Sequence, residues 1–320
     1  MRFEDVERLP LTSLPTSFYH MPNLSGFLGG PDIYVKRDDV MDLAHGGNKT
    51  RKLEYVFADV LAKNADTIIT VGGIQSNHVR QTVSAAAKLG LESHIVLNNP
   101  VPEREKQALS SGNYLMDKIM GASEYLIDGD DELVQIKVDT LKQELINEGK
   151  KPYVVPLGAS NGLGSLGYMH CAKELITQWQ EFGITPSHIF LGTGSCGTHA
   201  GLLMGLRYFG NKSTKVIGIS VSQPSEVKRE NIRAVLNQIK DVIDVDDNLV
   251  TDDDIIVKDE YYGKAYAYPT DEANKAIMLL GEKEGLILDP VYTGKTMAGL
   301  IDMVKHGKLE NSKDIVFLHS

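Results

Sequence analysis

Short apolar runs alternate with segments whose apolar residues recur every three or four positions along most of the chain. The first pattern is typical of buried strands and the second of amphipathic helices. Their alternation predicts an α/β protein in which mostly parallel sheets are covered by helices. Strands are predicted at residues 67–71, 94–97, 123–127, 153–155, 188–191, 216–221 and 315–318. Helices are predicted at residues 79–89, 114–120, 131–147, 166–182, 225–242, 271 onward and 295–306.

A glycine- and serine-rich stretch at residues 157–162 interrupts this alternation. Backbone freedom is concentrated there, which is typical of a crossing between domains. We therefore expect a larger domain formed by residues 1–49 and 157–320. Residues 50–156 are expected to form a smaller βα domain inserted into it.

The stretch Gly-Gly-Asn-Lys-Thr-Arg-Lys at residues 46–52 places Lys49 between two glycines and a helical pattern. The glycine turn, the helix N-terminus and the cations Arg51 and Lys52 all favour the neutral, nucleophilic amine. Such an amine attacks carbonyl groups and forms Schiff bases. The alternative is a basic first helical turn on a solvated surface, and this segment alone does not decide between the two. Lys295 is a weaker candidate, because it opens an ordinary helix without a double glycine.

A second glycine-rich loop, at residues 192–201, lies between a predicted strand and a predicted helix. Backbone N–H groups at such a junction form an anion site suited to phosphate. Its glycines also match the dinucleotide pattern G-x-G-x-x-G, which requires an acidic residue at the end of the next strand. That strand ends in Val221-Ser222-Gln223, so we favour a phosphate without an adenosine ribose. A tight structural turn is the alternative.

The polar loop at residues 75–78 follows the carboxyl end of a predicted strand, where α/β sheets place ligands. Ser76 and Asn77 could hydrogen-bond a carboxylate and a phenolic oxygen, although either could simply cap the next helix. Tyr292, near a proline and a glycine, could be an ordinary packing residue. His78 and His199 have no acidic or cysteine partner at metal-ligand spacing, so no metal site is expected.

Composition narrows the class of protein. The 320 residues carry a net charge of −10 without a basic block, which argues against nucleic acid as a partner. No apolar run is long enough for a membrane span, and the N-terminus lacks an apolar signal core. The two cysteines have no metal-ligand spacing, so we expect reduced thiols and a cytoplasmic protein.

Four motifs occur together in one order: Gly-Gly-Asn-Lys, Gln-Ser-Asn-His, the glycine-rich phosphate loop and Asp-Pro-Val-Tyr. In this the chain resembles the fold-type II, tryptophan synthase β-like pyridoxal phosphate enzymes. Within them it is similar to the branch that holds 1-aminocyclopropane-1-carboxylate deaminases and D-cysteine desulfhydrases. The resemblance runs from about residue 9 to residue 320. The family continues with a Gly-Gly segment, so we expect the natural chain to extend beyond Ser320.

The resemblance implies roles for individual residues. Lys49 would bind the cofactor pyridoxal phosphate covalently, the loop from Thr193 to Thr198 its phosphate, and Asn77 its 3-oxygen. The implied cofactor contacts are Asn48, Lys49, Asn77, Thr193, Gly194, Ser195, Cys196, Gly197, Thr198 and Ser320. The implied substrate contacts are Ser76, Asn77, His78, Tyr292 and Thr293. The implied catalytic residues are Lys49, Ser76, Tyr266 and Tyr292.

Two positions distinguish the subfamilies that it resembles. The deaminases carry Glu where this chain has Thr293 and Leu where it has Ser320, so the chain is more similar to the desulfhydrases. The implied reaction is α,β-elimination on D-cysteine, which gives hydrogen sulfide, pyruvate and ammonia. The alternatives are 1-aminocyclopropane-1-carboxylate deaminase, L-cysteate sulfo-lyase, and a D-amino-acid-binding protein that holds the cofactor without turnover. A homodimer is expected.

Overall fold

Two sheets form the framework of the computed structural model, which describes residues 1–320 except for the side chain of Arg104. The larger sheet contains, in spatial order, Phe18–His20 (β1), Asp32–Arg37 (β2), Asp314–His319 (β10), His188–Thr193 (β7), Lys215–Ser220 (β8) and Ile256–Lys258 (β9). The smaller sheet contains Ser123–Ile127 (β5), Glu92–Asn98 (β4), Thr67–Gly73 (β3) and Pro152–Val155 (β6). Among the described residues only the β1–β2 pair is antiparallel. The predicted α/β fold with two mostly parallel sheets is therefore confirmed.

The helices cover both sheets. In chain order they are Pro22–Leu28 (α1), Lys49–Ala62 (α2), Asn77–Lys88 (α3), Glu105–Ala108 (α4), Gly112–Ile119 (α5), Asp131–Asn147 (α6), Gly162–Phe182 (α7), Gly197–Tyr208 (α8), Ser225–Val242 (α9), Asp271–Glu284 (α10) and Thr293–Lys305 (α11). Of the described helices, none is both long and apolar enough to cross a membrane.

Helix α2 joins the two halves of the molecule. Its residues Leu53 and Phe57 pack into the core under the smaller sheet, whereas Tyr55 packs with the core around α7 and α8. Helix α7 approaches α2 closely at Gly167, where an added Cβ would lie 2.2 Å from the carbonyl oxygen of Arg51. The first turn of α2 is thus fixed from both sides.

A buried cluster of charges anchors the start of α2. The Arg51 guanidinium contacts Asp38 at 2.8 Å and Glu174 at 3.0 Å, and Lys36 also pairs with Glu174. Burial alone would raise the pKa of the Asp38 carboxyl, but Arg51, Lys36 and the Tyr168 hydroxyl together hold this pKa below its ordinary value. Arg51 and Lys36 likewise outweigh burial and lower the pKa of Glu174. Both carboxylates are therefore ionised at neutral pH.

Candidate active site

A cavity of about 770 Å³ is lined by residues from both sheets. The strands β3 and β7 and the chain after β10 all end at this cavity, as expected for ligand sites of α/β proteins. Most residues assigned to the site from the sequence line it: Asn48, Lys49, Ser76, Asn77, His78, Thr193, Gly194, Ser195, Cys196, Thr198, Tyr266, Tyr292 and Ser320. Of the assigned residues, only Gly197 and Thr293 are absent from this lining.

Lys49 is the first residue of α2, and a strained turn precedes it. Four consecutive residues there have positive φ, at Ala44 (35°), His45 (63°), Gly46 (76°) and Gly47 (123°). A Cβ on Gly46 would lie 1.8 Å from the carbonyl oxygen of Asp39, so only glycine fits. The double glycine therefore serves to bring the lysine to the cavity wall.

The Lys49 amine is suited to act as a nucleophile or base. Burial is the main cause that lowers its pKa to about 8; Asp289 opposes this effect and Arg80 adds to it. Its Nζ lies 5.3 Å from the centroid of the Tyr292 ring, and no hydrogen bond to it is found among the described residues. Arg51 was also expected from the sequence to lower the Lys49 pKa, but its charge is compensated by Asp38 and Glu174.

Lys295, the weaker candidate, is placed differently. Its Nζ donates a hydrogen bond of 2.9 Å to the carbonyl oxygen of Tyr262, and the residue does not line the cavity. The geometry therefore supports the preference for Lys49.

Lys52, one turn after Lys49, was expected from the sequence only to act as a neighbouring charge, but its surroundings make it a candidate site residue. Its side chain is 1% exposed, and its Nζ donates to Ser160 Oγ at 2.8 Å and to the Gly158 carbonyl at 3.2 Å. A Cβ on Gly197 would lie 3.0 Å from this Nζ, so the ammonium stands beside the N-terminus of α8. Burial and then Lys49 lower the Lys52 pKa well below its ordinary value. Its spacing of three residues from Lys49 was the available signal, because i and i+3 share a helix face.

The glycine-rich loop surrounds the same point. Asn48 Nδ2 donates to Thr198 Oγ1 at 2.9 Å, and the hydroxyls of Ser195 and Ser160 lie 2.7 Å apart. A buried ammonium, hydroxyls and a helix N-terminus thus converge, and no carboxylate pairs with Lys52 among the described residues. This donor set is suited to an anion that carries more than one charge, such as a phosphate.

The loop after β3 presents Ser76 and Asn77 to the cavity. Ser76 also caps α3, since its Oγ accepts from the Val79 N–H at 3.3 Å, so the capping interpretation is confirmed and the ligand contact stays a prediction. His78 is buried, and its Nε2 and Nδ1 lie 2.9 Å and 3.4 Å from the hydroxyls of Thr70 and Thr82. Burial lowers its pKa well below the ordinary value. Its imidazole is therefore neutral and already paired, which does not support the assignment of this side chain to substrate binding.

Tyr266 and Tyr292 meet at the cavity through a hydrogen bond between their hydroxyls. The Asp289 carboxylate fixes Tyr292 by accepting from three backbone N–H groups, those of residues 291 to 293. The Thr293 hydroxyl donates to the same carboxylate at 2.6 Å. Thr293 was assigned to substrate contact, but its hydroxyl is held by Asp289, whose N–H it accepts from at 2.9 Å, and the residue does not line the cavity. Burial, the largest cause in each case, raises the pKa of both tyrosines.

Known proteins are similar to this chain over nearly its whole length. A family model described as "Pyridoxal-phosphate dependent enzyme" matches residues 10–320. D-cysteine desulfhydrase from Serratia proteamaculans (strain 568) is 40% identical over 313 residues, covering 98% of this chain and 93% of the relative. The enzyme of that name from Salmonella typhi is 39% identical over 317 residues, with 98% and 93% covered.

Solved structures are also similar to this chain. A crystal structure described as an ACC deaminase homologue matches with a TM-score of 0.88 and 37% identity, covering 99% of this chain and 92% of that one. A fungal L-serine ammonia-lyase from Rhizomucor miehei matches with a TM-score of 0.68 and 20% identity, covering 97% and 94%. The second match shows only that the fold is shared.

Proposed function

The chain belongs to the pyridoxal-phosphate-dependent enzymes, and on this premise we propose that it is a lyase that eliminates sulfide from D-cysteine. The products are hydrogen sulfide, pyruvate and ammonia. The observation that supports this most is the full-length similarity to enzymes named D-cysteine desulfhydrase, together with a free, half-buried Lys49 amine at the cavity wall.

The residues present fit the cofactor of this family. The buried Lys52 ammonium has no anionic partner among the described residues, and it stands where the hydroxyls of Ser195 and Thr198 and the N-terminus of α8 meet. A phosphate group would supply the missing negative charge. We infer that this cluster holds the cofactor phosphate, that Lys49 holds the cofactor covalently, and that Asn77 and Ser320 contact its ring.

Elimination requires removal of the Cα proton and departure of sulfide from Cβ. When bound, the cofactor supplies an electron sink for the electron pair left on Cα. We infer that Ser76 and the N-terminus of α3 hold the substrate carboxylate, since Ser76 lines the cavity at that N-terminus. Once the substrate amino group has replaced Lys49 in the covalent bond to the cofactor, the freed Lys49 amine, with a pKa of about 8, can take the Cα proton close to neutral pH.

The tyrosine pair contributes protons rather than removing them. Because their pKa values lie above the ordinary value, Tyr266 and Tyr292 are neutral phenols at pH 7. Tyr292 can donate its proton toward the departing sulfur. The Tyr266 hydroxyl can then donate a hydrogen bond to the Tyr292 oxygen. This favours Lys49 over Tyr292 as the base.

A second candidate is 1-aminocyclopropane-1-carboxylate deaminase, favoured by the similarity to the ACC deaminase homologue. The decisive experiment supplies D-cysteine, L-cysteine, L-cysteate and 1-aminocyclopropane-1-carboxylate to the purified holoenzyme. We expect sulfide and pyruvate from D-cysteine at a rate well above all others. Release of 2-oxobutyrate from the cyclopropane compound without sulfide from D-cysteine would establish the deaminase instead. Sulfite from L-cysteate would indicate a sulfo-lyase, and cofactor binding without any product a binding protein.

We further propose that the enzyme is a cytoplasmic homodimer and that residues 50–156 form the smaller domain. All four strands of the smaller sheet lie within that range, which supports the division. Helix α2 begins at the proposed boundary and packs against the cores of both halves. It therefore holds the two domains together. Sedimentation velocity of the holoenzyme tests the dimer.

Replacing Lys52 with methionine is expected to weaken cofactor binding about ten- to a hundred-fold, because a charge-assisted hydrogen bond contributes roughly 1.5–3 kcal/mol. The stability of the cofactor-free protein should change little, because the substitution removes an unfavourably buried amine together with its two hydrogen bonds. Titration of the cofactor-free protein with pyridoxal phosphate measures the first effect and thermal unfolding the second. Thr198→Val should show a smaller loss of affinity. Thr214→Val, which removes a buried hydroxyl that donates to Pro186 outside the cavity, should show none.

A further inference from the structure

We propose that Arg80 is a positioning residue that fixes the amide of Asn77 so that its NH2 group faces the cofactor. The proposal rests on the proposed function, because it concerns how the chain presents Asn77 to pyridoxal phosphate. Arg80 lies one turn after Asn77 on α3, is 7% exposed and does not line the cavity. Any effect of Arg80 on the cofactor must therefore be transmitted through another residue.

The hydrogen bonds of Arg80 define that path. Nη1 donates to Asn77 Oδ1 at 3.0 Å and to Asn113 Oδ1 at 2.6 Å, and Nη2 donates to the Gly46 carbonyl at 2.5 Å. Asn113 Nδ2 in turn donates to Asn77 Oδ1 at 3.0 Å and to the Gln75 carbonyl at 2.8 Å. One guanidinium thus joins α3, α5 and the glycine turn before Lys49.

The chemistry of the donors sets the orientation of the amide. An asparagine amide can place either its oxygen or its nitrogen toward a neighbour that both donates and accepts. Arginine only donates, so the oxygen of Asn77 and that of Asn113 must both face Arg80. The Asn113 nitrogen is then directed at Asn77 Oδ1, which accepts twice. The Nδ2 group of Asn77 is left without a hydrogen bond to any described residue, at the wall of the cavity.

That orientation suits the contact proposed for Asn77. The 3-oxygen of pyridoxal phosphate is a phenolic oxygen that carries negative charge in its reactive form, so it needs a donor. A rotated amide would direct a carbonyl oxygen at it and repel it. Arg80 thereby converts an ambiguous amide into a donor, and its contact with Gly46 ties this donor to the segment that places Lys49.

The surroundings of Arg80 support a functional use of its charge. No carboxylate contacts the guanidinium among the described residues, although burying an unpaired charge is unfavourable. The buried Asp117, one turn after Asn113 on α5, acts on Arg80 as a counter-charge, but it has no hydrogen bond to a described residue and burial raises its pKa to about 7. An apolar side chain would fill this space with less loss of free energy, but it would not orient the two amides.

The test is a double-mutant cycle on cofactor affinity. Cofactor-free wild type, Asn77→Ala, Arg80→Met and the double variant are titrated with pyridoxal phosphate by calorimetry. We expect each single variant to bind about ten-fold more weakly, and the double variant no more weakly than the weaker single one. Arg80→Lys, which can only donate, should recover more affinity than Arg80→Gln, whose amide can donate or accept. Thermal unfolding of each cofactor-free variant is recorded alongside.

Arg207→Met is the matched control, because Arg207 is also 7% exposed and pairs with Asp254 away from the cavity. It should lower the unfolding temperature without changing the cofactor Kd. Unchanged affinity in Arg80→Met, or losses that simply add in the double variant, would overturn the proposal. Equal affinity of Arg80→Lys and Arg80→Gln would overturn it even if Arg80→Met fails to fold. A wild type that does not bind pyridoxal phosphate would instead refute the proposed function.

Discussion

Replacing Lys49 with alanine is expected to abolish sulfide release and remove the covalently held cofactor. Loss of proton transfer alone should slow turnover by roughly a hundred- to ten-thousand-fold. The strained turn before α2 brings this amine to the cavity wall, and nearby lysines are held elsewhere by their own hydrogen bonds. The rate is measured with D-cysteine, and the cofactor by its visible absorption after dialysis.

Borohydride reduction of the wild-type holoenzyme followed by peptide mapping should place the cofactor on Lys49. Lys295→Met is the control, because Lys295 is a buried lysine outside the cavity. That variant should lose some stability with the Tyr262 hydrogen bond but keep the visible absorption. An adduct on Lys295, or full activity in Lys49→Ala, would contradict the assignment.

Of the substitutions described, Arg51→Met is expected to lower the free energy of unfolding the most. Among the described residues it leaves the buried Glu174 paired only with Lys36 and the buried Asp38 without an ion-pair partner, and removing one partner of a buried pair costs about 3–5 kcal/mol. Urea unfolding of the cofactor-free protein measures the loss. Arg233→Met, which breaks the exposed pair with Asp252, should leave the free energy of unfolding almost unchanged.

The pH dependence of stability should change with the same substitution. In the wild type the pKa values of Asp38 and Glu174 lie below their ordinary values, so they stabilise the folded state above about pH 4 and lose this effect in acid. Without Arg51, burial dominates and the folded state favours the protonated carboxyls. Stability of Arg51→Met should then fall as pH rises above about 4. A parallel pH profile for both proteins would show that Arg51 is not the source of the effect.

The sequence predicted long elements better than short ones. Helices 131–147 and 225–242 have the predicted bounds, because their apolar periodicity extends over several turns. Strand 123–127 also has the predicted bounds. The strands Phe18–His20, Asp32–Arg37 and Ile256–Lys258 were not predicted. The first and the last contain three residues each at an edge of the larger sheet, too few to establish a pattern, and pairing with neighbouring strands makes them extended.

Candidate site residues could be identified from the sequence where the relevant contacts are local, and not where they depend on distant residues. The turn before Lys49 and the loop at residues 192–198 are contiguous in sequence, so their function could be inferred from the glycines. The anion-binding role proposed for Lys52 depends on contacts with Gly158 and Ser160, more than a hundred positions later, which accept hydrogen bonds from its Nζ. The assignment of Thr293 to substrate contact is not supported because of a local contact. Its hydroxyl donates to the carboxylate of Asp289, four positions earlier.

The position of β10 in the larger sheet has a consequence for biosynthesis. This strand is the last of those described to leave the ribosome, yet it lies between β2 and β7, near the middle of its sheet. Until it inserts, β2 and β7 have no partner to hold them side by side, and two aggregation-prone edges stay open. The nascent chain therefore cannot bring Lys49, the glycine-rich loop at residues 192–201 and Ser320 into one cavity before residues 314–319 are translated. Cofactor capture is thereby restricted to a chain whose central sheet is complete, after a search that such distant pairing makes slow.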